Sequence, residues 1–185
     1  IEVIHVPEAV VKEIAETEKS QGVFAHCKVK EYTEIEMASW RKVLLVDAVQ
    51  DPGNIGTMIR TADAAGIDAV ILGKGSADAY NPKTVRSMQG SNFHIPVVRG
   101  DLYEWVESLQ ADGVRVYGTS LEESVSYTEL ERTDNYALIV GNEGSGISPQ
   151  LLAKTDQNVI IPLFGQAESL NVAVAAGILM YSLNK

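Results

Sequence analysis

Five side chains with the means for polar chemistry stand in three loops of unusual composition. The first loop is Asp51-Pro52-Gly53-Asn54, leading into Ile55-Gly56-Thr57-Met58-Ile59-Arg60-Thr61-Ala62. A guanidinium is a permanently charged fork of donors suited to phosphate oxygens. Arg60 follows Asn54 by six residues, nearly two helical turns, a spacing that lets the two share a face. The second loop, Gly141-Asn142-Glu143-Gly144-Ser145-Gly146, holds three glycines, whose backbone can approach a ligand closely or take positive φ. Nothing structural requires the carboxylate of Glu143 among them. In the third, Ile161-Pro162-Leu163-Phe164-Gly165-Gln166-Ala167-Glu168-Ser169-Leu170-Asn171-Val172, Ser169 and Asn171 open an otherwise apolar helix. A buried amide needs hydrogen-bond partners, which singles out Asn171. Plainer readings stand beside these. Asn54 and Ser169 suit helix N-caps, Arg60 suits a solvated helix face, and Ser148-Pro149 suits an ordinary strand-to-helix turn.

Other chemistries are poorly served. Gly53-x-x-Gly56 is not the dinucleotide fingerprint, and Gly73-Lys74-Gly75-Ser76 lacks the phosphate-loop spacing. No G-x-S-x-G elbow is present for a hydrolase. His5, His26 and His94 are scattered without ligand spacing, so no metal site is expected.

Loops of this kind need rigid elements behind them. From about Val43 onward, Val/Ile/Leu-rich runs at 43–46, 69–72, 94–98, 115–118, 136–140 and 158–162 alternate with helical stretches at 55–65, 82–90, 102–110, 149–154 and 169–184. Several runs are unbroken rather than alternating, the mark of strands buried on both faces of a parallel sheet. The expectation is an α/β domain over residues 37–185, with a mostly parallel sheet and helices on both faces. In open α/β sheets, ligands bind beyond the carboxyl ends of the strands, where the three loops fall. Residues 1–36 differ. A short charged helix at 7–20, one strand at 22–29 and an acidic linker at 31–36 cannot close a core alone. The segment reads as the tail of an upstream domain, and a chain that starts at Ile1 suggests truncation.

The chain has 185 residues and a formal charge of −10, with 45% hydrophobic residues. It can bury a full-sized core, which argues against disorder. Its longest apolar run, 172–181, is too short for a membrane span, which needs roughly 20 residues. A single cysteine, Cys27, excludes an internal disulfide and fits a reducing, cytoplasmic setting. Net acidity argues against a general polyanion coat, yet the charge is segregated. Residues 37–100 carry five acids against seven bases and are net positive, while both flanks are acidic. A local basic face on an acidic protein remains open.

Taken together, the three loops resemble the signature motifs of the SpoU (TrmH-like) RNA 2′-O-ribose methyltransferases of the SPOUT superfamily. The first motif, an Asn followed six residues later by Arg-Thr/Ser-Ala, is matched by Asn54 and Arg60-Thr61-Ala62. The second, an apolar strand ending in Gly-x-Glu-Gly-x-Gly, is matched at 138–146. The third, Ile-Pro-x-x-Gly and then Ser-Leu-Asn-Val, is matched at 161–165 and 169–172. Ala173 departs from the Ser frequent in the family and touches no expected reacting atom. The resemblance covers roughly residues 40–185.

The resemblance implies a C-terminal part threaded as a trefoil knot, with S-adenosylmethionine bound in it by backbone groups. Gly141, Ile161 and Leu170 would contact that cofactor, with Thr119 and Ser120 near it. It implies a homodimer, with the apolar last helix in the interface, and an RNA substrate, tRNA or rRNA. Residues 1–30 would be the end of a small RNA-binding domain. Arg60 would be the catalytic arginine, with Asn54, Glu143, Ser169 and Asn171 orienting it and the ribose, and Lys83 and Arg86 as further RNA contacts. A guanidinium makes a poor base at neutral pH, so a grip on phosphate and on a developing alkoxide is the safer role. The rival from another class is a non-catalytic RNA-binding or ribosome-assembly protein on the same fold, and a nucleotide-dependent oxidoreductase is more remote.

Overall fold

The computed structural model describes residues 1–15 and 19–184. Two compact units emerge, Ile1–Tyr32 and Thr33–Lys185, a boundary four residues ahead of the 36/37 division expected.

Among its described residues the first unit holds one helix, α1 (Glu8–Ile14), carrying a Glu8–Lys12 ion pair at 2.9 Å and burying none of its residues. The helix expected at 7–20 is shorter at both ends, and positions 16–18 lie outside the described residues. The strand expected at 22–29 does not form. A strand needs a neighbour to bond its backbone, and Val23 and Val29 are instead exposed. The acidic stretch at 31–36 is not a plain linker. Thr33 and Glu36 form a reciprocal capping box that starts α2 (Glu34–Met37).

The second unit is built on seven strands: β1 (Lys42–Val46), β2 (Ala69–Leu72), β3 (Val97–Arg99), β4 (Arg115–Thr119), β5 (Ser124–Ser126), β6 (Tyr136–Val140) and β7 (Gln157–Ile160). Their order is β3-β2-β1-β6-β4-β7-β5, and every pairing is parallel. Helices α3 (Pro52–Ala64), α4 (Pro82–Met88), α5 (Leu102–Ala111), α6 (Pro149–Leu152) and α7 (Val172–Leu183) complete it. Leu44, Val46, Val70, Leu72, Leu138 and Val140 pack with Ile55, Met58 and Ile59 of α3 and Ala176, Leu179 and Met180 of α7. The alternate side chains face the other layer. There a Cβ on Gly73 would meet Leu102 of α5 at 2.7 Å, and one on Gly118 would meet Leu152 of α6 at 2.9 Å. The sheet is thus covered on both faces, as the unbroken apolar runs require. Each fully buried Leu or Ile contributes about 1.5–3 kcal/mol.

Several boundaries differ from expectation for local reasons. The strand expected at 94–98 begins only at Val97, because Pro96 has no N–H to give to a ladder. Ser91–Phe93 forms a 3₁₀ turn just before it. The strand expected at 158–162 likewise ends at Ile160, short of Pro162. Strand β5 has no hydrophobic run and was invisible to pattern. Helix α7 starts at Val172 rather than 169, because Asn171 caps it. Its far end is fastened by the buried Tyr136 hydroxyl, which donates to the Met180 carbonyl at 3.2 Å.

Register decides where the loops go. Val46 pairs with Leu72 and with Val140, Gly118 with Ile139, and Thr119 with Val159. The carboxyl ends of β1, β6, β4 and β7 therefore emerge along one rim.

Candidate active site

The first loop is set by its cap. Asp51, not Asn54, is the N-cap of α3: its carboxylate accepts from the Asn54 N–H at 3.0 Å, and Pro52 fills the first helical position. The signal was present in Asp51-Pro52, a preferred cap followed by the residue favoured at the first helical position. Relieved of capping, the Asn54 side chain points across to the other loops. Its Nδ2 donates to Glu143 Oε1 at 3.0 Å, and its Oδ1 accepts from Asn171 Nδ2 at 2.9 Å.

Glu143 collects three donors. Oε1 also accepts from the Asp51 N–H, and Oε2 accepts from the Gln50 N–H, each at 3.3 Å. Partial burial pushes this carboxyl up. The Asn54 amide and the backbone N–H groups outweigh that and hold it below its ordinary value. At the other end, Asn171 Oδ1 accepts from the N–H groups of Ala173 and Val174 at 2.9 and 3.3 Å. Flipping either amide would set oxygen against oxygen and N–H against N–H, so each has one orientation. The result is a directional chain, from the α7 N-terminus through Asn171 and Asn54 to Glu143, that ties the three loops together.

The glycine loop that carries Glu143 is rigid. Asn142 and Gly146 exchange backbone hydrogen bonds at 3.0 and 2.9 Å, and the Asn142 side chain gathers the N–H groups of Gly144 and Ser145. A side chain on Gly141 would run into the backbone of Gly146 and Ile147. The loop is pinned to the end of β1 by Asn142 Nδ2 on the Ala48 carbonyl (2.9 Å) and by the Ser148 N–H on Asp47 (2.8 Å). Ala48 adopts φ 55°, an uncommon conformation for a residue with a side chain. Asp47, Ala48, Asp51 and Asn142 are the supporting residues that motif spacing did not pick out.

Not every expected residue joins the chain. The Arg60 side chain is exposed and makes no hydrogen bond or ion pair with any described residue. It does not share the Asn54 face, because six residues at 3.6 per turn stop about 120° short of two turns. It falls instead on the stripe of Gly53, Gly56 and Asp63, which faces the Lys83–His94 segment. Gly53 lies by Lys83 and Gly56 by Thr84, and Asp63 bonds His94 at 3.0 Å. Lys83 and Arg86 are exposed, three residues apart on α4. Arg86 has no side-chain partner among the described residues, whereas Lys83 Nζ sits 3.0 Å from Asp51 Oδ2. Ser169 is exposed, makes no hydrogen bond, and stands two residues before the true cap of α7.

Thr119 ends β4 and Ser120 follows it, Gly141 follows β6 and Ile161 follows β7, so these expected cofactor contacts lie side by side on the rim. Leu170 is partly exposed in the third loop. Residues 163–170 are exposed and make no hydrogen bond to other described residues. Their backbone donors and acceptors are unspent, which fits a ligand held by main-chain groups. A cavity of about 420 Å³ lined by Glu122, Glu123, Pro149 and Asn158 opens beside α6 and contains none of the rim residues. Among the described residues, no three His, Cys, Asp or Glu side chains converge as a metal site would need. No described helix is long and apolar enough to cross a membrane.

Residues 41–181 match the SpoU rRNA Methylase family. The chain is 60% identical over 170 residues to the 23S rRNA (guanosine(2553)-2′-O)-methyltransferase RlmP of Bacillus subtilis, covering 92% of this chain and 67% of that protein. Its fold is similar to the AdoMet-bound rRNA methyltransferase of Sinorhizobium meliloti, with TM-score 0.77 and 35% identity over 83% of this chain and 60% of the other. It is also similar to the SpoU methyltransferase AviRb of Streptomyces viridochromogenes in complex with AdoMet, with TM-score 0.73 and 36% identity over 81% of this chain and 63% of that one. The chain thus spans between three-fifths and two-thirds of the length of these relatives.

Proposed function

The chain belongs to the SpoU rRNA methylase family, and from that premise we propose that it transfers a methyl group from S-adenosylmethionine to a ribose 2′-hydroxyl of RNA, with ribosomal RNA as the substrate class. The observation that carries this reading is the Glu143–Asn54–Asn171 chain, which draws three distant loops into one constellation at the rim of the sheet. The rRNA activity of the Bacillus relative favours ribosomal over transfer RNA.

S-adenosylmethionine supplies an activated methyl group on a sulfonium, so what remains for the protein is alignment and charge. Orienting two reactants can contribute several kcal/mol or more. The rim formed by Thr119, Ser120, Gly141, Ile161 and the loop ending at Leu170 would hold the cofactor through its main chain. Glu143 is a clamp rather than a base: its proton affinity is lowered and Oε1 is filled by two donors. A guanidinium is a fork of donors with no acceptor, so the role left to Arg60 is to grip a phosphate and the developing alkoxide. Arg86 extends that positive face along α4, and Lys83 stands at its edge with its ammonium already held by Asp51. Ser169, unbonded in the third loop, is available to the ribose.

The order β1-β6-β4-β7 sets β6 between β1 and the earlier strand β4, which suits a C-terminal half threaded as a trefoil knot. Val174 and Tyr181 are more than half exposed on the otherwise apolar α7, which suits a homodimer closed by that helix. Residues 1–36 leave Val3, Ile4, Val23 and Val29 largely exposed, which suits a segment that helps to bind RNA. The setting is the cytoplasm, where ribosomal RNA is modified.

Calorimetry and a transfer assay test the proposal. S-adenosylmethionine should bind with a stoichiometry of about one per chain, and labelled methyl should pass to ribosomal RNA, with Arg60→Ala lowering kcat at least about a hundredfold. Absence of cofactor binding would sink the rim assignment, and wild-type turnover in Arg60→Ala would remove the role given to Arg60.

A further inference from the structure

We infer that Asp51 and Lys83 are a positioning pair for the Glu143–Asn54–Asn171 chain, acting through the first turn of α3; the inference rests on the methyl-transfer reading above. Asp51 is a hub with three separate bonds. Oδ1 caps α3 at the Asn54 N–H (3.0 Å), Oδ2 meets Lys83 Nζ (3.0 Å), and its own N–H donates to Glu143 Oε1 (3.3 Å). The residue that fixes the backbone of Asn54 thus also supplies one of the donors to the carboxylate that Asn54 must reach. Movement of Asp51 would disturb both ends of the Asn54–Glu143 bond at once.

Lys83 is delivered to this point by construction. Asn81 caps α4 by accepting from the Lys83 N–H at 2.9 Å. Gly56 lets the two helices meet backbone to backbone, since a Cβ there would stand 2.6 Å from the Thr84 carbonyl. Gly53 clears the space between the partners. A Cβ at that position would lie 2.7 Å from Asp51 Oδ1 and 3.5 Å from Lys83 Cε. Two glycines and a cap in different elements converge on one contact between an aspartate and a lysine. A lysine that merely faced solvent, or waited for phosphate, would need none of them. The Asp51 carboxyl is held below its ordinary value, first by Lys83 and next by the Asn54 N–H.

Asn caps helices about as well as Asp, so Asp51→Asn keeps the cap and removes only the charge pair. In the transfer assay, Asp51→Asn and Lys83→Met should each lower kcat about fivefold, the scale of an exposed ion pair. KM for RNA should stay within about twofold. The double variant should be no worse than either single one, because both remove the same contact, and Lys83→Arg should recover most of the loss. Asp51→Ala, which removes the cap as well, should also lower Tm, and the melting curves keep folding separate from turnover. The inference is overturned if Lys83→Met raises KM for RNA equally in the wild-type and Asp51→Asn backgrounds, which would make Lys83 a phosphate ligand. It is equally overturned if neither single variant changes kcat. Wild-type transfer and its loss in Arg60→Ala, run alongside, report on the methyl-transfer reading independently.

Discussion

Glu143 terminates the hydrogen-bond chain and is surrounded by donors only, so its charge can be tested without changing its shape. In Glu143→Gln an amide nitrogen or a weaker acceptor meets the Asn54 amide and two backbone N–H groups. Loss of charge-assisted bonds of about 1.5–3 kcal/mol each should lower kcat about tenfold or more, with S-adenosylmethionine binding retained. The pH dependence of stability has a definite sign. Glu143 and Asp51 both have folded pKa values below their ordinary 4.5 and 3.8, so the unfolded chain binds more protons than the folded one. Their contribution is complete above those ordinary values and is lost as pH falls from them through the lower folded values. Melting temperatures of wild type and Glu143→Gln should therefore differ at neutral pH and converge as pH falls below 4.5. A gap that widened on acidification would contradict the placement of Glu143 among donors.

At the scale of elements, the close approach of α3 and α4 depends on Gly56. A methyl at that position would collide with Ser87 and the Thr84 carbonyl. Gly56→Ala should cost about 1–3 kcal/mol as overpacking, measured as a lower denaturant midpoint. Gly165→Ala, with nothing within 4 Å of its added Cβ, should leave that midpoint unchanged. The same elements show what a sequence makes visible. The buried strands were legible because continuous Val/Ile/Leu runs have few other uses, and residues 43–46, 69–72 and 136–140 lie within or coincide with β1, β2 and β6. Boundaries near Pro96 and Pro162 moved because the missing N–H acts on the ladder, not on hydrophobicity. Strand β5 was hidden because an edge strand of Ser-Val-Ser has no apolar pattern to read. Asn54, Glu143 and Asn171 were named from their loops. Their hydrogen-bonded connection was not readable, since it depends on the register of β1, β6 and β7 and on Asp51 taking the cap that Asn54 could also have filled.

On the scale of the molecule, a formal charge of −10 and an RNA substrate are reconciled by segregation. Arg60 and Arg86 belong to the only net-positive block and lack side-chain partners among the described residues, while much of the acid charge lies beyond residue 100. RNA affinity should therefore be modest and should fall with salt at a slope set by a few phosphate contacts, roughly 0.7 per contact on single strands. Arg86→Ala should shallow that slope by about one contact without changing cofactor affinity. The partition of charge was legible in the sequence. The separation of Arg60 from Asn54 around α3 was legible too once the 3.6 period is applied strictly, since six residues stop about 120° short of two turns. The most direct measurement is a map of ribose 2′-O-methylation in ribosomal RNA from cells lacking this protein, and from the same cells re-supplied with wild type or Arg60→Ala. The account predicts one methylated ribose lost, restored by wild type and not by Arg60→Ala. An unchanged map, or restoration by Arg60→Ala, would contradict it.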